Sequence, residues 1–260
     1  MHPELQSINP LRDDIARGGV YVHYQPQVSF QTGRIIGAEA LVRLNRNGMT
    51  IMPDEFISKA EESGEIEALF EEVMRLVGTH IERIRRKKGI RIYVNLSARQ
   101  VNAHLPIRLY ELLRRLDISS DAIGIEITES ILMQDIDSAV HILRQVGDMG
   151  IRLSLDDFGM GYSSLSYLKE LPINSIKIDR AFVQDIQKEK GVQIVTAILH
   201  LARSVNMNVV AEGVENRQQF EILKLIGCNA FQGYFYSRPV ASDAFLELLK
   251  TEKKSAIDFS

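Results

Sequence analysis

From Val20 onward, runs rich in β-branched and apolar residues alternate with runs whose apolar residues recur every three or four positions. That alternation predicts an α/β sheet with helices crossing over between strands. Eight strands are expected: VYVHYQPQV from Val20, RIIGAEALVRL from Arg34, RIYVNLS from Arg91, AIGIEIT from Ala122, IRLSLDD from Ile151, NSIKID from Asn174, NVVAEG from Asn208 and NAFQG from Asn229. Segments between them, such as IEALFEEVMRLVGTHIERI and VQIVTAILHLARSV, read as amphipathic helices outside the sheet. The first two strands are joined only by the turn around Gln31, Thr32 and Gly33. A parallel crossover needs about a dozen residues, so these two run antiparallel. The expected fold is a modified TIM (β/α)8 barrel with one antiparallel strand, an architecture of about 250 residues.

The 260 residues then form one domain, with a lead-in helix over about 1–18 and a tail over about 252–260. Pro53 suits the first turn of the helix DEFISKAEE and Gly64 its exit, while Gly150 and Gly227 follow two later helices. Hydrophobic residues at 45% and charged residues at 25% give an ordinary globular mixture, which excludes fibrous and disordered classes. A net charge of -3 provides no whole-chain field for a nucleic-acid polymer or an anionic membrane. The first residues lack a signal peptide's pattern, and no apolar run reaches the ~18 residues that span a bilayer. The single cysteine, Cys228, excludes an intramolecular disulfide and a thiolate zinc cluster, so a reducing, cytoplasmic setting is expected.

TIM barrels carry their active sites at the C-terminal ends of the parallel strands. There, a period of two puts Glu39, Leu41 and Arg43 on one face of the second strand. Asn95, Glu126 and Lys177 each alternate with apolar neighbours, Asp156 ends an apolar run, and Glu212 and Gln232 follow two others. Seven strands thus deliver polar groups whose unpaired burial would cost several kcal/mol each, and a cation is the simplest compensation. Glu39, Asn95, Glu126 and Asp156 are hard oxygen donors, suited to Mg²⁺ or Mn²⁺ rather than zinc or copper. Asp157 offers a second position with Asp156 bridging, and two metals ~3.5 to 4 Å apart clamp a phosphodiester for in-line attack by water. Lys177 would hold or polarise the nucleophile, and Arg43 suits a forked contact to phosphate. The pattern reads as metal-assisted phosphoryl hydrolysis. The FGMGYSS segment after Asp157 is expected to be a switching loop; it lacks the lysine of a P-loop and the spacing of a dinucleotide fold.

Plainer readings exist for each residue. Asp156 and Asp157 could cap a helix, Glu39 could pair structurally with Arg43, and Lys177 could be a solvated lysine. Glu212 and Glu215 could cap the helix starting near Asn216, with Glu215 read as structural, and Gln25 and Gln232 could serve backbone groups. The six histidines lack ligand spacing, Cys228 reads as a packed side chain, and RIRRKK from Arg83 as a solvated helix end.

At these residues the sequence resembles the EAL family of bacterial cyclic di-GMP phosphodiesterases, which open the cyclic dinucleotide to linear pGpG. The resemblance rests on EAL itself at Glu39 to Leu41 and on YQP from Tyr24, NLS from Asn95, EITES from Glu126, DDFG from Asp156, KID from Lys177, AEGVE from Ala211 and QGY from Gln232. It implies metal binding by Glu39, Asn95, Glu126, Asp156 and Asp157, with two Mg²⁺ or Mn²⁺ ions and inhibition by Ca²⁺. It implies catalytic roles for Lys177 and Glu212 beside Glu39 and Asp156, substrate contacts from Gln25, Leu41, Arg43, Asp179 and Gln232, and support of the DDFG loop by Glu129. Homodimerisation through that loop and adjacent helices, and sensory or GGDEF domains in a longer parent, are further implications. The sequence departs from the family at Met160, where a small residue is usual, and at Leu44, where Trp often follows the arginine. The alternatives are a catalytically silent cyclic di-GMP receptor and an unrelated metal-dependent barrel lyase. Retention of every acidic ligand favours the enzyme.

Overall fold

In the computed structural model, residues 10–85, 89–133, 135–159 and 168–251 are described. The chain runs α1 (Pro10–Ala16), β1 (Val20–Ser29), β2 (Ile35–Arg46), β3 (Met49–Ile51), α2 (Pro53–Ser63), α3 (Ile66–Arg85), β4 (Arg91–Leu96), α4 (Leu105–Arg115), β5 (Ile123–Thr128) and α5 (Ile136–Asp148). It continues with β6 (Arg152–Phe158), β7 (Ser175–Ile178), α6 (Arg180–Gln184), α7 (Glu189–Ser204), β8 (Asn208–Ala211), α8 (Arg217–Leu225), β9 (Ala230–Phe231) and α9 (Ser242–Thr251). Helix α1 falls within the stretch of about 1–18 expected to form a lead-in helix, whereas residues 1–9 and the tail from 252 lie outside the described residues.

All eight expected strands form one closed barrel, in the order β1-β9-β8-β7-β6-β5-β4-β2 with β1 paired back to β2. The reversed strand is β1, antiparallel to both β2 and β9, while every other neighbouring pair in the ring is parallel. A ninth strand, β3, lies outside the expected set and extends β2 through a hairpin that pairs Arg46 with Met49. Its two turn residues, Asn47 and Gly48, both have positive φ (53° and 83°), as a two-residue hairpin of type I′ requires. The Asn-Gly pair was the available signal.

Helix ends follow local chemistry. Glu55 accepts from the Met52 N–H at the start of α2, Asp135 caps α5 through Ser138 N–H, and Asn216 caps α8 through Gln219 N–H. Gly64, Gly150 and Gly227, the expected exits, take φ of 77°, 89° and 82°, a region that an L side chain resists.

The strands' outward faces carry Ile92, Val94, Ile123, Ile125, Ile127, Leu153, Leu155, Ile176 and Ile178, all buried with Phe70, Leu109, Leu143 and Val195 of the helices. Burying each such side chain stabilises the fold by roughly 1.5 to 3 kcal/mol. A smaller cluster of Leu11, Val20, Leu44, Phe56 and Leu69 seats α1 and α2 beside the start of β1 and the end of β2.

TIM-barrel interiors are ordinarily filled with Val, Ile and Leu. Here the inward positions include Gln25, Gln27, Glu39, Glu126, Ser154, Asp156, Ser175, Lys177 and Gln232, all buried and polar. Across the waist, Tyr93, Gly124 and Arg152 share one register row. A Cβ on Gly124 would come within 2.3 Å of the Tyr93 ring, so only glycine lets that ring cross the neighbouring strand. Among the described residues no helix is long and apolar enough to cross a membrane.

Candidate active site

Parallel strands in register bring their C-terminal ends to one level, so side chains separate in sequence meet inside the barrel mouth. Asn95 of β4 and Glu126 of β5 are register partners, and Glu39 lies one strand away on β2. Asp156 projects from β6, Lys177 from β7, and Glu212 and Gln232 from the first positions past β8 and β9. The seven polar groups expected at the strand ends therefore do assemble.

Lys177 is the hub. Its Nζ lies 2.7 Å from Glu126, 2.8 Å from Glu212, and 3.2 Å from both Glu39 and Asp156. With only 1% of its side chain exposed, it is not a solvated lysine. Glu39 also accepts from Asn95 Nδ2 at 2.7 Å and from Gln232 Nε2 at 2.7 Å, while Gln232 donates to Gln25 at 3.0 Å. Glu39 therefore pairs with Lys177 rather than Arg43. Glu126 is further held by Gln27 Nε2 at 3.3 Å, a supporting residue that sequence reasoning missed. Its signal was the two-residue step from Gln25 along β1.

One ammonium cannot balance this many carboxylates. Glu39, Glu126 and Asp156 bring ligand atoms within 4.8 Å of one another, and Asp156, Asp157 and Glu212 do the same, so two acidic triads share Asp156. The acidic cluster could hold metal. Its donor set of carboxylate oxygens suits a hard divalent cation, and among the described residues the buried Gln232 Oε1 has no hydrogen-bond partner.

The ionisations follow from crowding. Burial works to raise Glu39, but the Lys177 charge and the donors from Asn95, Gln232 and Lys177 outweigh it and hold Glu39 below its usual range. Glu126 is pushed well above that range, by burial first and then by Glu39 and Asp156, with Lys177 opposing. Glu212 is pushed up to about 8, by burial first and then by Asp156 and Glu39, again against Lys177. Asp157 rises through burial and the charges of Asp156 and Asp179. Burial works against the Lys177 charge, yet its four carboxylates raise it well above the ordinary lysine value.

Asp157 takes φ 54°, its N–H donating to Asp156 Oδ1 at 2.9 Å, and β6 runs on to Phe158, so neither aspartate is a helix cap. Glu129 Oε2 accepts from Gly159 N–H at 3.3 Å, at the start of the expected switching loop. The loop from Met160 to residue 167 lies outside the described residues.

The expected substrate contacts divide. Gln25, Leu41 and Gln232 line a pocket of about 250 Å³ with Glu39, Asp156, Lys177 and Glu212, and Leu41 also lines an adjoining cleft of about 610 Å³. Arg43 is not brought to the acids; its Nη1 donates to Val42 O at 2.8 Å. Asp179 caps α6, accepting from Ala181 N–H at 2.8 Å. Arg180, Glu215 and Tyr234 line the smaller pocket, and Arg180 and Tyr234 were not anticipated.

Fold and site together define a TIM-barrel protein with an acidic centre at its C-terminal mouth. Residues 8–239 match the EAL domain, and the chain belongs to that family. It is 38% identical over 248 residues to Signaling protein YkoW of Bacillus subtilis (strain 168), covering 92% of this chain and 30% of that protein. It is 38% identical over 256 residues to the bifunctional diguanylate cyclase/cyclic di-GMP phosphodiesterase MucR of Pseudomonas aeruginosa, covering 94% of this chain and 36% of that protein. The solved PaMucR phosphodiesterase in its c-di-GMP complex has the same fold, with a TM-score of 0.86 at 38% identity over 93% of this chain and 100% of that one. The chain thus spans about a third of the length of these two full-length relatives.

Proposed function

We propose that this chain is a cyclic di-GMP phosphodiesterase that hydrolyses the cyclic dinucleotide to linear pGpG with two divalent cations. The observation carrying this reading is the pair of acidic triads that share Asp156 around Lys177. Glu39, Asn95, Glu126 and Asp156 would hold one Mg²⁺ or Mn²⁺, and Asp157 with Asp156 the second. Such ions polarise a phosphoryl oxygen and make bound water a stronger nucleophile.

The chain's own groups do the rest. Glu212 has the most open side chain of the four Lys177 partners, 17% exposed against 13% for Asp156, and we assign it the proton released by the attacking water. Lys177 keeps its ammonium against the charge that develops on the phosphate. Oxygen–phosphorus bond formation by water accompanies cleavage of one P–O3′ bond; the departing 3′ oxygen takes its proton from solvent, and Glu212 releases to solvent the proton it accepted from the attacking water. Gln25, Leu41 and Gln232 orient the dinucleotide from the small pocket, and Glu129 holds the base of the DDFG loop. We also propose a cytoplasmic homodimer joined through that loop and neighbouring helices, with sensory or GGDEF domains in a longer parent and Ca²⁺ as an inhibitor.

The test is incubation of the purified chain with cyclic di-GMP and Mg²⁺ or Mn²⁺, with chromatographic resolution of nucleotides and an EDTA control. Metal-dependent pGpG is the expected outcome. Binding of cyclic di-GMP without product would convert the reading to a receptor, and neither binding nor product would overturn both.

A further inference from the structure

The opposite end of the barrel holds a second pocket of about 400 Å³, within the range of small-ligand sites. It is lined by the N-terminal ends of the parallel strands, including Arg91, Arg152, Asn174, Ser175, Asn208 and Asn229. Among the described residues no aspartate or glutamate lines it. Among the described residues neither Arg91 nor Arg152 forms an ion pair, and the buried Arg91 Nε has no hydrogen-bond acceptor at all. Native proteins rarely leave a buried N–H of a cation unsatisfied, because its hydration has been lost without replacement.

The two arginines converge for a definite reason. Arg91 precedes Tyr93 by two residues on β4 and so shares its inward face, and Tyr93 and Arg152 lie in one register row through Gly124. Tyr93, whose ring passes over Gly124, stands one inward step beyond Arg91 and level with Arg152, and Glu126 stands one inward step further along β5. The carboxylates nearest the pocket are therefore committed to Lys177 and Gln27 and do not neutralise it.

We propose that this N-terminal pocket is a binding site for a small phosphorylated molecule, with its phosphate on the Arg91 and Arg152 guanidiniums and its remainder against the Asn and Ser rim. Guanidinium forks match phosphate oxygens in geometry and charge, and the missing acceptor at Arg91 Nε is what a phosphate oxygen supplies. The site is independent of the phosphodiesterase reading, since none of the residues assigned to hydrolysis lines it.

The test is calorimetric titration of the whole chain with inorganic phosphate and, separately, with AMP, both in EDTA so that the acidic end cannot recruit phosphate through a cation. Saturable binding at one site per chain is expected, with AMP tighter than phosphate if the rim contributes. Arg152→Gln should weaken both probes by about tenfold or more, as loss of a hydrogen bond to a charged group does, and R91Q/R152Q should abolish saturation. Arg152 is solvent-exposed, so R152Q keeps the test intact should the double variant fail to fold. Absence of saturable binding by either probe, or unchanged affinity in R152Q, overturns the proposal.

Discussion

The two ends of the barrel are built by the same strands yet carry opposite charge. At the C-terminal end, Glu39, Glu126, Asp156 and Glu212 converge on Lys177. At the N-terminal end, Arg91 and Arg152 face a pocket that no acid among the described residues lines. Tyr93, let through by Gly124, stands level with Arg152 and one inward step short of Glu126. The difference teaches that a barrel's polar interior need not be one network. Each inward layer is set by a two-residue step along its strand, so neighbouring layers can hold different chemistry at about 6 to 7 Å of strand rise.

Breaking the acidic end should have the largest effect. Glu39→Ala removes a carboxylate shared by Lys177, Asn95 and Gln232. Turnover of cyclic di-GMP should fall by about a thousandfold or more, as expected when several kcal/mol of metal-assisted stabilisation is lost. Near-normal turnover would remove Glu39 from the metal assignment.

Lys177→Met tests charge balance rather than catalysis. It leaves four carboxylates clustered without their ammonium, and urea unfolding in EDTA should reveal a loss of about 3 to 5 kcal/mol. Mg²⁺ should restore part of that loss; an undiminished midpoint would mean that proton uptake alone balances the acids.

The separation between the ends can be attacked directly. Gly124→Ala forces a Cβ against the Tyr93 ring and should cost about 1 to 3 kcal/mol, read from a denaturant melt. Tyr93→Ala in the same chain should relieve the clash, and failure to do so would place the strain elsewhere.

A pH series sharpens the comparison further. The folded chain holds Glu212 at about 8 against an ordinary 4.5, so it binds that proton more tightly than the unfolded chain does. This contribution is complete below about 4.5 and lost as pH rises through about 8. Metal-free stability should therefore decline across that window, less so in Glu212→Gln, and a flat profile would contradict the ionisation scheme. The smallest effect belongs to Cys228, in the wall of the N-terminal pocket, whose thiol burial pushes up to about 12. It should stay unmodified by a thiol reagent at pH 8 until the chain unfolds, and rapid labelling would mean that the wall opens.

Sequence alone determined the eight strands of the barrel ring, the hairpin that reverses β1, and the identity of the polar groups at the barrel mouth. These are legible because alternation and loop length are local properties: Ile125 and Ile127 announce an inward Glu126 without knowledge of any other strand. The tertiary structure decided what those groups meet. It gave Glu39 to Lys177 instead of Arg43, put Asp179 on a helix cap, recruited Gln27 beneath Glu126, and gathered Arg91 with Arg152 at the far end. Barrel register sets those partnerships, and register is a relation between strands as much as 203 residues apart in the chain, as Val28 of β1 and Phe231 of β9 are. No local pattern encodes it, because it is fixed only when hydrogen bonding closes the sheet and the outer apolar faces pack against their helices.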